Sequence, residues 1–421
     1  MRLKRIIYLT TLISLSIVMF PEESQAISAW GRKYGVGCNV CHIAGYKLTY
    51  AGQQFLRHGH QMPGAESKEA NMSDYFSLTM KIRYWDKNKT VQQSGLSDAI
   101  ETRNSFEAHA LSIYSGGPLD SGFSYFTEMY LHENERKNPG ENTESTESDM
   151  GDWARSKLAE AYLQYGNERD DLYFTARAGR IMPWLIHLHG GGARLEYSRP
   201  LPLTETVGTN PYRPFSRQFG AGLGVGFKEV FFEAGVVNGT GKYENTVEIG
   251  TDTYKDIYAS LDYSIGDNGS MVGVYYYNGQ FPLHLLKTKG GENADKFNQT
   301  GVLGQYVIKQ GALIGAYFSG SDEYTPTGGT SNVTYKSQSY YAEIQGYFMD
   351  SSLSPYFRWE FFDPDIDRSD SSEKSGPVLG IHWKPFDHGR FVLEASNYTT
   401  NDSSTKKTIN RDITLEMQFM F

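Results

Sequence analysis

From Tyr75 to the end of the chain, apolar and polar residues alternate in run after run. A period of two belongs to a strand whose two faces meet different surroundings. Phe76, Leu78, Met80, Ile82 and Tyr84 fall on one face, with Ser77, Thr79, Lys81 and Arg83 on the other. Phe123, Tyr125, Met129 and Leu131 alternate with Ser124, Glu128 and His132. The design recurs at Phe219–Phe227 and Ile257–Tyr263, and again at the close, where Ile413, Leu415, Met417, Phe419 and Phe421 alternate with polar neighbours. A half-buried strand in a soluble sandwich explains any single run. Recurrence through the whole region asks for apolar-out, polar-in alternation between lipid and a wet lumen.

The reading is an all-β chain, a transmembrane antiparallel β-barrel of about 16 strands, with about 14–18 compatible with its length. Ser264–Ser270, Lys309–Gly311 and Met349–Ser354 read as short periplasmic turns. Glu133–Asp152, Thr240–Thr253, Gln280–Lys296, Ser319–Lys336 and Asp363–Ser375 read as outside loops. The closing Phe421 resembles the insertion signal of bacterial outer-membrane barrels. Composition agrees, with 30 Tyr, 23 Phe and 44 Gly at a mean hydropathy of −0.50.

Residues 1–26 read as a secretory signal. Arg2, Lys4 and Arg5 precede an apolar stretch from Ile6 to Phe20, and Ser24-Gln25-Ala26 forms a small-x-small cleavage site. The destination is the outer membrane of a Gram-negative bacterium. The whole chain carries −9. Removing the signal, which nets one positive charge, leaves the remainder near −10, which excludes a nucleic-acid partner because no basic patch faces phosphates. The chain shows no nucleophile–base motif, phosphate loop or nucleotide fingerprint, so no catalytic residue is assigned.

Residues 27–72 do not share the alternation and read as a small, partly helical segment with its linker, ahead of the barrel at 73–421. The segment holds Cys38-Asn39-Val40-Cys41-His42, with the only two cysteines in the chain. This is the spacing of a c-type haem attachment site. Each thiol adds to one porphyrin vinyl group, and the adjoining imidazole reaches the iron as proximal ligand. A zinc half-site would need a second pair of ligands, which here only histidines supply. The cofactor implied is one haem c. Leu48, Tyr50, Ala51, Phe55 and Leu56 are spaced for one face of a short helix that would cover the haem. His58, His60 and Met62 follow it as candidate distal ligands. A barrel this wide has a lumen that is open or plugged, and the haem segment is the expected plug.

The run Trp30-Gly31-Arg32-Lys33-Tyr34-Gly35-Val36-Gly37 before the motif, with Leu48-Thr49, Gly52, Phe55 and Gly59 after it, resembles the N-terminal segment of outer-membrane cytochrome–porin fusions. The best known of these are Fe(II)-oxidising outer-membrane cytochromes. The family usually has a proline where this chain has Tyr46 and a tyrosine where it has His60. The resemblance implies electron transfer across the membrane, from extracellular Fe(II) or another reduced donor to a periplasmic c-type cytochrome or similar carrier. That would make the chain an iron(II):cytochrome oxidoreductase or a non-enzymatic carrier. Other donors, the reverse direction, and a solute channel gated by its haem segment stay open. Carboxylates at Glu133, Glu135, Asp365 and Asp367, if outside, would concentrate Fe(II) at the mouth; a solvated acidic loop is the alternative. His187 and His189 stand two apart and would share one side of a strand, as a metal pair or an ordinary lumen pair.

Overall fold

The computed structural model describes residues 28–62, 74–133, 157–207, 210, 212–239, 254–282, 294–324, 333–368, 371–386 and 388–420. The signal segment, most of the linker, Glu135 and Phe421 lie outside them. Sixteen strands, from β3 (Phe76–Gln93) to β18 (Lys406–Met420), close into one antiparallel barrel. Each pairs with its sequence neighbour, and β18 returns to β3 with Met420 opposite Thr79. Closure leaves no strand edge, which is the condition for a sheet to span lipid.

Alternation sets which face is which. On β10 (Asp256–Ile265), Ile257, Leu261, Tyr263 and Ile265 are 42–48 % exposed, while Tyr258, Ser260, Asp262 and Ser264 point inward and are buried. Leu223, Val274, Val302, Leu313, Trp359 and Leu393 continue the outward apolar band on neighbouring strands. This is an outer-membrane barrel. Its turns at 170–171, 228–229, 266–269, 309–310 and 347–352 lie at one end, with the start of β3 and the end of β18. Such short turns mark the periplasmic side.

Two expectations change. Residues 319–324 and 333–336 of the span Ser319–Lys336 are strand, since β13 (Gly311–Tyr324) and β14 (Val333–Gly346) run into it. Strands that rise beyond lipid no longer need outward apolar residues, so alternation fades before pairing does. The second concerns His187 and His189, expected on a strand: they belong to the connection between β7 (Leu172–Ile181) and β8 (Gln218–Phe227), whose described residues fold into the lumen. It carries α4 (Trp184–Ile186), a kinked turn (His187–Gly191) and α5 (Leu201–Thr204). His187 and His189 therefore sit in a kinked turn, not on a strand. Pro183 precedes that stretch, and Gly190 at φ +102° and the following glycines bend it where a strand would run straight.

The inward connection fills the barrel. Leu185, Ile186, Leu188, Leu195 and Leu203 are buried against inward-facing Tyr258, Tyr275, Leu303, Phe318 and Tyr341. Tyrosine suits this lumen because its ring packs while its hydroxyl finds a partner. Tyr277 donates to Asp256 at 2.6 Å, Tyr356 to Glu394 at 2.6 Å, and Tyr258 to Glu233 at 3.0 Å. Glu233 also accepts the Trp184 backbone N–H at 2.7 Å, and Glu360 that of Leu201 at 2.8 Å. Two helix starts in the loop are thereby tied to the wall.

The N-terminal segment enters from the short-turn end as α1 (Ser28–Tyr34), α2 (Cys38–Cys41), the hairpin β1 (His42–Ala44) with β2 (Lys47–Leu48), and α3 (Tyr50–Arg57). Arg57 seats it. Its Nη2 donates to both carboxylate oxygens of inward-facing Asp262 at 2.8 and 2.9 Å, both side chains are fully buried, and its carbonyl accepts from Gln164 and Tyr173. Removing one member of such a pair strands a buried charge, at about 3–5 kcal/mol. Arg57→Ala is expected to loosen the segment, so that protease added from the periplasmic side cuts it while the barrel stays heat-modifiable on gels. Wild-type protease resistance would contradict this anchoring.

Candidate functional site

The cysteine motif is held by the helix that follows it. Thr49 caps α3, accepting the Gly52 N–H at 3.1 Å, and donates its hydroxyl to the Val40 carbonyl at 2.6 Å. Its backbone N–H reaches the Cys41 carbonyl at 3.0 Å. Gly52 allows this approach, since a Cβ there would lie 2.3 Å from the Cys41 oxygen. The helix thus lies directly against the motif, as the spacing of apolar residues predicts. Cys38 and Cys41 form no disulfide.

Cys38, Cys41 and His42 line a cavity of about 850 Å³ that opens at the short-turn end, beside Met349–Ser352 and Phe386, and runs up to Glu128 and Glu160. That volume is in the range of sites that enclose a cofactor. Its walls are of two kinds. Trp30, Tyr34, Phe55, Phe126 and Tyr162 give flat apolar surface, and Lys81, Arg194, Arg199, Arg217 and Arg390 give positive charge. Arg217 is held by Glu128 and Glu160 at 3.0 Å each. Arg194 and Arg199 donate to the carbonyls of Gly192, Tyr197 and Gly191, so their charges are not spent on those partners.

Burial, with the Lys384 ammonium nearby, holds the His42 imidazole down to about 4. Burial, with Arg177 and Lys33, holds His60 down to about 3. Both rings are neutral at working pH and keep a lone pair for a metal. Burial beside Cys38 pushes the Cys41 thiol up to about 11. Both ring nitrogens of His60 and of His382 are buried with no hydrogen-bond partner. A cavity combining two thiols, an adjacent imidazole, further unmet imidazoles, aromatic walls and free cations fits a porphyrin with two carboxylate arms.

The other expected residues scatter. His60 and Met62 line the cavity, but His58 does not; its ring lies 3.9 Å from that of Tyr173. His187 lines the cavity, whereas His189 turns away to the Tyr341 hydroxyl at 3.1 Å. Asp365 is buried and accepts the Lys336 backbone N–H at 3.4 Å, and Asp367 pairs with the Lys336 ammonium at 2.8 Å. Glu133 ends β5 (Phe123–Glu133), and Glu135 lies outside the described residues. Among the described residues no group of three or more His, Cys, Asp or Glu is placed to hold a metal ion. The sequence reading missed His382, Lys81, Arg194, Arg199 and Arg217. Lys81 and His382 are inward positions of strands, and a strand-face count flags them; the arginines sit on or beside a connection whose inward path has no periodic signal.

No protein-family model matches the sequence, and no curated protein does. Among solved structures, it is similar to the anion-selective porin from Comamonas acidovorans, with TM-score 0.51 and 11 % identity over 82 % of this chain and 100 % of that one. It is equally similar to the outer membrane channel DcaP of Acinetobacter baumannii, with TM-score 0.51 and 11 % identity over 82 % and 97 %. The barrel has the porin fold. At this identity the likeness shows the fold alone, and the cavity around Cys38 and Cys41 is read from this chain's own residues.

Gly52→Val pushes a side chain into the Cys41 carbonyl. If the motif takes haem as its spacing predicts, covalent haem per barrel, measured by pyridine haemochromogen, is expected to drop several-fold with the barrel still heat-modifiable. Wild-type haem content would show that the close approach of α3 does not position the motif.

Proposed function

We propose that this chain is an outer-membrane c-type cytochrome that carries electrons from extracellular Fe(II) to a periplasmic carrier. The observation that supports it best is the shared cavity of Cys38, Cys41 and His42 at the periplasmic mouth of the lumen. Cys38 and Cys41 each form a thioether by adding S–H across a vinyl group, and His42 offers a neutral nitrogen on the same short segment. Arg194, Arg199 and Lys81 are the cations available to the carboxylate arms, and α3 and the inward connection keep bulk water away. A haem held there supplies a one-electron Fe(III)/Fe(II) couple whose potential depends on its second axial ligand. Fe(II) is the substrate, oxidised outside so that ferric product stays out of the cell.

The second reading is a solute channel whose N-terminal segment gates passage or senses redox state. The fold comparisons favour this reading over the electron carrier, because the two neighbours are a porin and an outer membrane channel. Against free diffusion stand the inward connection and the N-terminal segment, which occupy the lumen with buried side chains. The two readings separate by experiment. Anaerobic mixing of oxidised protein with Fe(II) is expected to give the reduced c-type spectrum rapidly, and Cys41→Ala to abolish normal covalent attachment and that response. Proteoliposomes are expected to swell no faster in small sugars than empty ones. Fast swelling, with no reduction by Fe(II) but normal reduction by dithionite, would move the assignment to the channel.

A further inference from the structure

Resting on that cytochrome reading, we propose that His60 is the second axial ligand of the haem, opposite His42. His60 is 1 % exposed, lines the cavity of the cysteine motif, and has neither ring nitrogen hydrogen-bonded. A buried imidazole with two unmet nitrogens is costly unless a partner completes it. Its ring is oriented from several directions. Trp30 stacks on it at 4.5 Å and Phe126 at 5.4 Å between centroids, while Phe55 meets it at 77° and 5.5 Å. These rings fix the imidazole where it lines the cavity, and neither of its nitrogens is taken by a protein partner.

The backbone is forced to deliver the ring there. Gly59 and His60 have φ of +66° and +61°, a conformation that costs a non-glycine residue energy and turns the chain back after α3. The turn is pinned by the His60 N–H to the Phe55 carbonyl at 2.8 Å and by the Tyr34 hydroxyl to the His60 carbonyl at 2.7 Å. The competing ligands are placed less well. His58 is against Tyr173, outside the cavity. His382 also lacks partners, but its Nε2 lies 3.2 Å from where a Gly45 Cβ would stand, against the hairpin that carries His42. It is therefore on the proximal wall with β16 (Glu373–Phe386), whereas Gly59 and His60 lie against Ser124 and Phe126 of β5. His42 and His60 are thus carried beside different strands, β16 and β5, five steps apart around the barrel.

The test is electron paramagnetic resonance and optical spectroscopy of the oxidised holoprotein, with covalent haem counted separately by pyridine haemochromogen. The wild type is expected to show a low-spin bis-imidazole signature. His60→Ala is expected to keep its covalent haem but become high-spin, and added free imidazole to restore the low-spin signal. His60→Met, which keeps a side chain among Trp30, Phe55 and Phe126, carries the test if the alanine variant fails to assemble; its potential is expected to rise, since a methionine ligand raises it. A His60→Ala spectrum identical to wild type, or a His60→Met potential unchanged, would overturn the proposal. So would conversion to high spin in His382→Ala or His58→Ala but not in the His60 variants. A folded wild-type barrel with no covalent haem would instead overturn the cytochrome reading beneath it.

Discussion

A strand in lipid has no water to satisfy its N–H and C=O groups, so every one must pair within the sheet. In this chain the requirement is met by closing sixteen strands on themselves, and the rest of the structure follows from the closed wall. Sixteen strands enclose a lumen too wide for their own side chains to fill. What fills it is the connection 182–217 and the N-terminal segment, and each is fastened by groups that lipid-facing positions could not carry. Arg57 with Asp262, and Glu233 with the Trp184 N–H, are buried inward pairings of this sort.

The same wall explains why a cysteine motif is where it is. A segment that carries only α1 to α3 and a hairpin has too few residues to build its own core. It borrows one from the barrel: Trp30 donates its indole N–H to the Gly116 carbonyl at 3.1 Å, Arg390 lies over the Tyr46 ring at 4.8 Å, and Gln53 donates to the Gly269 carbonyl at 3.1 Å. The cavity beside Cys38 and Cys41 therefore has walls from both parts, and its cations come from strands and from the inward connection.

The barrel was legible in the sequence because lipid imposes a period of two on every strand that crosses it. The turns at Ser264–Ser270 and Lys309–Gly311 could be read for the same reason, as polar breaks between periodic runs. The helix over Tyr50–Arg57 was legible from its apolar face. The fate of 182–217 was not. Its buried leucines and histidines have no lasting period, and only the closed barrel shows that there is an interior for them to enter. Asp365 misled for a related reason: a carboxylate that accepts a backbone N–H in a turn has the same sequence signature as one that faces water. His60 was legible as a candidate beside His58 and Met62, but the positive-φ turn that separates it from His58 is a property of the fold.

The central claim is electron passage through the wall by way of the Cys38–His42 site. It is tested most directly in proteoliposomes that enclose an oxidised soluble c-type cytochrome, with Fe(II) held outside by an impermeant chelator. The account predicts that the enclosed cytochrome becomes reduced through wild-type protein and not through a Cys38→Ala, Cys41→Ala barrel inserted at equal density. Equal reduction through both would mean that iron or another solute crosses the barrel, and would contradict the electron-carrier reading. No reduction through the haem-loaded wild type in either orientation would contradict it as well.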